Sequence, residues 1–394
     1  MKIDKTLYIL HLHIHLQREM IMPGLLPDID PDGLLEYSVV YTDRALNHMS
    51  QSFQHVICDI SATLKEVYAA AAVAIVPGSG TFGMEAVARQ FATGKNCLVI
   101  RNGFFSYRWS QIFAMGAIPA GEIVLKARPT ADDPKAPFAP APIEEVIATI
   151  EREKPDLVFA PHVETSGGII LPDDYLCAVA DAIHRVGGLF VLDCVASGAI
   201  WVDMKACGID LLISAPQKGW SGPSCAGLVM FSPGARDRLA ETASSSFAAN
   251  LQKWVDIVES YESGTHAYHA TMPTDALAKF RDIMAEVAAY GFDQAKAQQQ
   301  EMGNRVRALL AERGVPSVAA AGFEAPSVVV SYIDAADTPA RFAAAGLQIA
   351  AGVPLMCDEP EGFQTFRLGL FGLDKIQNVE RTVTTFAEAL DQVL

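Results

Sequence analysis

The residue with the clearest chemical potential is Lys218, which closely follows an apolar run at 209–213. That run has the length and composition of a buried parallel strand, and small or turn-forming residues come after the lysine at 219–223. An ammonium group in apolar surroundings is costly unless it is paired or neutral. A lysine whose charged form is disfavoured is a good nucleophile and could hold a carbonyl cofactor as a Schiff base. The alternative is a surface lysine at a strand end.

Three further features are predicted to lie near Lys218. Asp193 ends an apolar strand, the turn Gly78–Thr81 joins a strand to a helix, and Phe105 follows another strand. The turn offers backbone N–H groups that can hold an anion, and Phe105 could stack on a flat ring. With the lysine as imine former and the carboxylate paired to a pyridinium nitrogen, this set matches pyridoxal phosphate. Taken singly, an ion pair, a plain turn and core packing are the simpler explanations.

The elements that would position these residues alternate along the chain. Strands are predicted at 72–76, 96–101, 157–160, 188–193 and 209–213, and helices at 50–71, 82–91, 143–153 and 173–186. Such alternation predicts an α/β fold with a mostly parallel sheet, whose ligands bind at the carboxyl ends of the strands. A strand at 226–231 is expected to run antiparallel, 129–142 to be a surface excursion, and 244–274 to be a polar, aromatic loop.

The pattern changes after residue 274, and this change predicts a domain boundary. One long helix at 275–313 is followed by short strands at 327–332 and 366–370 and helices at 339–344 and 379–394. We therefore predict an N-terminal extension at 1–21, a large cofactor-binding domain at 22–274 and a smaller α/β domain at 275–394.

Seven motifs in chain order resemble those of the class V, fold-type I pyridoxal phosphate enzymes, most closely the branch of alanine–glyoxylate, serine–pyruvate and serine–glyoxylate aminotransferases. The resemblance runs from about Met22 to the C-terminus. It implies a large domain with a mostly parallel seven-stranded sheet flanked by helices, and a smaller C-terminal domain. The motifs are Gly78-Ser79-Gly80-Thr81, Asn102-Gly103-x-Phe105-x-x-Arg108, His162-x-Glu164-Thr165-Ser166, Asp193-x-Val195-Ala196-Ser197, Gln217-Lys218, Tyr268-His269-x-Thr271-x-Pro273 and Phe366-Arg367-Leu368-Gly369.

The resemblance also implies a role for each matching residue. Lys218 would carry the cofactor and move the proton between the substrate Cα and the cofactor C4′, while Asp193 would pair with the pyridine nitrogen. Arg367 would clamp the substrate carboxylate. The other implied cofactor contacts are Ser79, Gly80, Thr81 and Gln217 at the phosphate, Phe105 and Val195 on the two ring faces, Ser166 near the phenolic oxygen, and Tyr268 and Thr271 at the phosphate of a neighbouring subunit. A homodimer with shared active sites follows.

Several positions depart from the pattern of the branch. Phe105 stands where tryptophan is common, and Gly167 replaces a threonine. The segment that borders the substrate pocket in the family reads Pro23-Gly24-Leu25-Leu26-Pro27 in place of Pro-Gly-Pro-Ser/Thr, and the stretch 356–363 also differs. The amino donor and acceptor therefore stay open.

The resulting prediction is an aminotransferase that moves an amino group from a small amino acid, such as alanine or serine, to glyoxylate or pyruvate by a ping-pong mechanism. One alternative is an ammonia-lyase acting on an aminophosphonate or hydroxy-amino acid, because the bond that breaks depends on which one stands perpendicular to the ring. A non-catalytic sensor that kept the fold is a third possibility. The intact Asp193 and Lys218 pair speaks against it, since a pure binder has no need of both.

Charge and composition limit the partners. The chain has 394 residues and a formal net charge of −16, which disfavours nucleic acid and anionic membranes as partners. Seven dispersed cysteines favour a reducing, cytoplasmic location and argue against a zinc site or disulfide framework. The alternating His11, His13 and His15 could bind a metal, but no carboxylate or cysteine cluster lies nearby, so no metal is predicted.

Overall fold

A seven-stranded sheet forms the centre of the larger part of the fold in the computed structural model, which describes residues 34–333 and 335–394. The predicted extension at 1–21, its histidines and the Pro23 segment lie outside the described residues. The helices are α1 (Gln51–Tyr68), α2 (Gly80–Phe91), α3 (Phe104–Gly116), α4 (Ile143–Glu153), α5 (Asp173–Arg185), α6 (Met204–Cys207), α7 (Pro233–Leu239), α8 (Leu251–Glu262), α9 (Thr274–Tyr290), α10 (Phe292–Glu312), α11 (Thr338–Ala344), α12 (Leu373–Gln377) and α13 (Val379–Val393).

The strands are β1 (Ala72–Pro77), β2 (Asn96–Arg101), β3 (Gly121–Lys126), β4 (Arg128–Pro129), β5 (Phe138–Ala139), β6 (Leu157–Pro161), β7 (Val163–Glu164), β8 (Ile169–Ile170), β9 (Leu189–Asp193), β10 (Leu211–Ser214), β11 (Ala226–Phe231), β12 (Val328–Tyr332), β13 (Ala350–Ala351) and β14 (Thr365–Gly369). The large sheet has the order β1-β11-β10-β9-β6-β2-β3. Its strands are parallel except β11, which runs antiparallel to both β1 and β10, as predicted.

The central strands are buried over their whole length, which is why they read as continuous apolar runs in the sequence. Helices cover the sheet, and their apolar faces join its side chains in one large core. A mostly parallel seven-stranded sheet flanked by helices is the predicted α/β fold, and this prediction is confirmed.

A separate three-stranded sheet, in the order β12-β14-β13, packs with α10, α11 and α13 around a second core. Most of the buried face of helix α9 packs with the large core, through Leu277, Phe280 and Met284, while its last residue, Tyr290, packs against the second one. The boundary at 274/275 stays a prediction.

Three predicted elements are wrong in detail. The long helix at 275–313 is two helices, because Gly291 has a φ of +103° and separates α9 from α10. The predicted loop at 244–274 contains α8, whose buried face includes Trp254 and Tyr261. The excursion at 129–142 contains part of the short β4–β5 pair. In each case tertiary packing or one backbone dihedral decides the structure, and local composition does not reveal it.

Two further properties concern the predicted environment of the protein. No helix within the described part of the chain is long and apolar enough to cross a membrane. The seven cysteines are free thiols, five of them buried. The cytoplasmic location stays a prediction.

Candidate active site

Adjacent strand ends bring Asp193 and Lys218 to the same edge of the sheet. Asp193 is the last residue of β9, and it lies in register with Ile213 of β10 and Pro161 of β6. Lys218 follows four residues after the end of β10. Both side chains line one cavity together with Ser79, Gly80, Thr81, Met84, Phe105, Arg108, Val163, Thr165, Val195, Ala196 and Gln217. These candidate residues thus gather at the carboxyl ends of the strands, which is where ligands bind in parallel sheets.

The amine of Lys218 lies among aromatic rings and other cations. Its Nζ is 5.9 Å from the ring centroid of Phe105 and 5.5 Å from that of Phe371. Burial lowers the pKa of Lys218, and the charges of Arg367 and Arg108 lower it further, against an opposing effect of Asp193. At a given pH, the Lys218 amine is therefore neutral in a larger fraction of the molecules, as a nucleophile or base requires.

The carboxyl group of Asp193 is buried, and burial raises its pKa to about 6. The backbone N–H of Val195 donates to Oδ1 at 2.9 Å, which works in the opposite direction together with the charge of Lys218. Behind it, the buried imidazole of His162 has its pKa lowered to about 3 and is bonded through Nδ1 to the Ser197 hydroxyl at 2.7 Å. A neutral histidine thus supports the loop that follows Asp193.

The turn at Ser79–Thr81 presents the N-terminus of α2 to the cavity. Ser79 is the N-cap residue, and its hydroxyl makes no capping hydrogen bond. A Cβ on Gly80 would lie 2.6 Å from a methyl of Val195, so only glycine permits this close approach. Opposite, the buried Oε1 of Gln217 has no hydrogen-bond partner among the described residues. The first N–H groups of a helix also lack intrahelical partners, so this corner offers donors to an anion.

Three cations surround the ring of Phe105. Besides the Lys218 amine, the guanidinium carbon of Arg108 is 5.2 Å from the ring centroid and that of Arg367 is 5.6 Å away. Arg108 donates to the hydroxyl of Thr81 at 2.9 Å, and Arg367 donates through Nε to the carbonyl of Ala351 at 2.9 Å. Burial lowers the pKa of Arg367. The hydrogen-bond acceptors of both guanidinium groups are therefore neutral.

Three predicted cofactor contacts lie outside this cavity. Ser166 is buried, and its hydroxyl lies within hydrogen-bonding distance of Glu164 and accepts from the backbone N–H of Phe104. Tyr268 is 54% exposed, and its hydroxyl is 3.1 Å from that of Thr271. Tyr268 and Thr271 thus lie together on an exposed face. Arg367 lies over the Phe105 ring, and the other predicted site residues, apart from Ser166, line the cavity.

A larger cavity of about 560 Å³ adjoins the site on the side of the three-stranded sheet. It is mostly apolar, with Leu347, Ile349 and Phe386 among its lining, and it shares Thr165 with the first cavity. Arg367 and Phe371 also line it, so the guanidinium lies between the two spaces.

Two residues of the quoted motifs gain a place in the site that the sequence reasoning did not give them. Arg108 reaches the cavity because it lies one helical turn after Phe105 on α3, a helix the sequence reasoning missed. Glu164 is fully buried and bonds the first turn of that helix. The three-residue spacing of Phe105 and Arg108 in the sequence would have indicated the role of Arg108, but no local sequence signal indicates that of Glu164.

Comparison with known proteins relates this chain to a family. The family model for class-V aminotransferases matches residues 34–360, which ends before Arg367. Alanine–glyoxylate aminotransferase of Oryctolagus cuniculus is 26% identical over 361 residues, covering 88% of this chain and 87% of the relative. 2-Aminoethylphosphonate–pyruvate transaminase 2 of Paraburkholderia xenovorans is 27% identical over 364 residues, covering 89% of this chain and 90% of the relative.

Solved structures share the fold. The crystal structure of an alanine–glyoxylate aminotransferase from Nostoc sp. matches with a TM-score of 0.74 at 21% identity, covering 88% of each chain. An aspartate aminotransferase from Thermus thermophilus matches with a TM-score of 0.72 at 24% identity, covering 89% of this chain and 93% of the other.

Proposed function

The chain belongs to the class-V aminotransferase family, and from that premise we propose that it transfers the amino group of a small amino compound to a short 2-oxo acid, with pyridoxal phosphate as cofactor. The observation that carries the proposal is the cavity in which Lys218 and Asp193 lie at neighbouring strand ends beside an open helix N-terminus.

The residues of this cavity fit the cofactor by their donor chemistry. The unused hydroxyl of Ser79, the N–H groups at Gly80 and Thr81, and the unpartnered amide of Gln217 would hold the phosphate. When the side-chain amide of Gln217 is flipped by half a turn, its oxygen and nitrogen exchange places, and its NH₂ group would then face the phosphate. Phe105 and Val195 would lie on the ring faces, and Asp193 would pair with the pyridine nitrogen. When bound, pyridoxal phosphate supplies a carbonyl for an amine and a ring that accepts electrons.

Two side chains would do the chemistry at the substrate. Lys218 would first bind the cofactor and then, once displaced by the substrate amine, move the proton at the substrate Cα as a neutral base. Its lowered pKa suits both tasks. Arg367 would bind the substrate carboxylate with two parallel hydrogen bonds, since its Nε alone is used by Ala351.

The choice of a short acceptor rests on the relatives. One is named for glyoxylate and the other for pyruvate, both short 2-oxo acids, while their donors differ as alanine and 2-aminoethylphosphonate. We therefore expect glyoxylate or pyruvate as acceptor and test three donors, namely alanine, serine and 2-aminoethylphosphonate.

The test compares Lys218→Ala with Lys205→Ala, an exposed lysine on α6. Wild type and Lys205→Ala should show a visible absorbance band with pyridoxal phosphate, lose it on addition of a donor and regain it with an acceptor. Lys218→Ala should show neither band nor turnover. Full transamination by Lys218→Ala would contradict the proposal, and turnover of a donor without any 2-oxo acid would indicate the ammonia-lyase instead.

We also propose a homodimer in which Tyr268 and Thr271 reach the cofactor phosphate of the partner subunit. Their exposure and mutual hydrogen bond support this, because hydroxyls on an exposed face are available to a second chain. Mixing Lys218→Ala with a Tyr268→Phe/Thr271→Ala double variant tests it. Random hybrid dimers would contain one intact site each, so activity should recover to about a quarter of wild type. Recovery no greater than the sum of the two separate variants would contradict shared sites.

A further inference from the structure

Glu164 ends β7 between the cavity residues Val163 and Thr165, and its carboxylate is buried behind them. It is 0% exposed. Its Oε1 accepts from the backbone N–H groups of Phe105 at 3.1 Å and Ser166 at 3.0 Å, and from the Ser166 hydroxyl at 2.7 Å. Its Oε2 accepts from the N–H of Ser106 at 2.9 Å and lies 2.7 Å from the Ser106 hydroxyl. Five donors thus surround one buried carboxylate.

These bonds supply the cap that α3 lacks. The N-cap residue of α3 is Gly103, which has no side chain to accept from the first turn. Glu164 accepts from that turn in its place, and its negative charge lies at the positive end of the helix dipole. The approach is close, because a Cβ on Gly103 would lie 2.7 Å from the Glu164 side chain. The first turn of α3 is therefore fixed to β7 from outside the helix.

The turn that Glu164 holds carries two cavity residues. Phe105 is itself one of the bonded positions, and Arg108 lies one turn further along, with its guanidinium over the Phe105 ring and its Nη1 on Thr81. A shift of this turn would move the ring relative to Lys218, which lies 5.9 Å from its centroid. The buried carboxylate is thus mechanically joined to the aromatic face of the site and to the anion-binding turn.

We propose that Glu164 is a positioning residue for the cofactor: by capping α3 it fixes the Phe105 ring and Arg108, and its charge balances the cations of the cavity. This inference rests on the proposed function. A purely structural role would require only that the helix fold, whereas a positioning role requires the bound cofactor to sense the carboxylate.

The charge of Glu164 acts on all sides of the cavity. It opposes the lowering of the pKa of Lys218 and of Arg367, and it contributes to the raised pKa of Asp193. The other cations acting there are Arg108, which lowers the pKa of both Lys218 and Asp193, and Arg367, which lowers that of Lys218. Removal of the negative charge of Glu164 should therefore make the cationic form of the lysine-bound cofactor less stable, so its visible band should titrate at lower pH.

The experiment compares Glu164→Gln with Glu122→Gln in the holoenzyme. Glu122 of β3 is the matched control, since it bonds Ser110 in the middle of the same helix, away from the cavity. For Glu164→Gln we expect the pH midpoint of the visible band to fall by about half a unit. The dissociation constant of pyridoxal phosphate should rise about tenfold, because the loss of charge-assisted bonds to the helix N-terminus releases the Phe105 ring and Arg108. We expect this loss to exceed the gain from having one negative charge fewer near the anionic cofactor. Glu122→Gln should leave both values unchanged.

The outcomes separate the two hypotheses. A wild-type protein that binds no pyridoxal phosphate overturns the proposed function and this inference with it. A Glu164→Gln protein with wild-type midpoint and affinity overturns this inference alone. If Glu164→Gln does not fold, Ser106→Ala keeps the carboxylate and removes the hydroxyl contact to Oε2, together with the bonds of that hydroxyl to the backbone of Asn102 and Gly103. It should weaken cofactor binding about threefold without lowering the midpoint, and unchanged binding would overturn the inference.

Discussion

Asp193 should destabilise the cofactor-free protein at neutral pH, and its replacement by asparagine should stabilise it. Burial raises the pKa of Asp193 from 3.8 to about 6. The folded protein therefore binds the proton of Asp193 more tightly than the unfolded chain does. The resulting contribution to the free energy of unfolding is fully present below pH 3.8 and is lost as pH rises through 6. A pKa difference of this size corresponds to about 3 kcal/mol. Asparagine keeps the shape and can still accept from the Val195 N–H.

The measurement is urea unfolding of the cofactor-free protein at pH 4.5, 6 and 8, at one fixed protein concentration. We expect the free energy of unfolding of Asp193→Asn to exceed that of wild type by about 2 kcal/mol at pH 8. This difference should shrink as pH falls to 4.5. Asp237→Asn, which replaces an exposed carboxylate on α7, is the control for the loss of one negative charge.

An Asp193→Asn protein that is no more stable than wild type at pH 8, or a stability difference that does not vary with pH, would refute this prediction. With pyridoxal phosphate bound the order should reverse, because a carboxylate can pair with a protonated pyridine nitrogen and an amide cannot. A functional carboxyl group should lower the stability of the cofactor-free protein and strengthen the binding of the cofactor.

Three further outcomes are expected. Gly219→Ala should cost about 1–3 kcal/mol in urea unfolding, since its Cβ would lie 2.1 Å from the carbonyl oxygen of Gly198; Gly234→Ala, with its nearest atom 4.0 Å away, should change stability by about 0.5 kcal/mol or less. Arg307→Met should cost about 3 kcal/mol in urea unfolding, because the half-buried guanidinium donates to three carbonyl oxygens that would lose this partner, and a loss below about 1 kcal/mol would contradict this. Millimolar inorganic phosphate should raise the Tm of the cofactor-free protein by about 2–4 °C, an effect that Arg108→Met should reduce and that chloride at equal ionic strength should not reproduce.

The large sheet and the central pair of the site could be predicted from sequence because both rest on strong local rules. Fully buried parallel strands read as apolar runs, and parallel strands place their carboxyl ends at one edge. Asp193 and Lys218 line one cavity because Asp193 ends such a run and Lys218 closely follows another, and Gly80 opens a helix soon after β1.

What the sequence did not reveal depends on contacts between distant segments. Glu164 caps a helix that begins sixty residues earlier, and nothing near either segment announces the pairing. Ser166 lies in a motif of the family, yet its hydroxyl in this structure is bonded to Glu164 and Phe104. Helix α8 is amphipathic, but the polar and aromatic residues around it concealed its period.

The charges of the cavity explain why anions should bind inside a protein whose net charge is −16. Lys218, Arg108 and Arg367 all lie within 6 Å of the Phe105 ring centroid. Of the nearby carboxyl groups, Glu164 has its oxygens bonded by five donors, and Asp193 is half protonated near pH 6. The cations are therefore compensated only in part, and the low dielectric of a buried cavity makes that imbalance costly. A phosphate at the α2 N-terminus and a carboxylate at Arg367 would each reduce this excess of positive charge. The excess that lowers the pKa of Lys218 would therefore also favour the binding of cofactor and substrate.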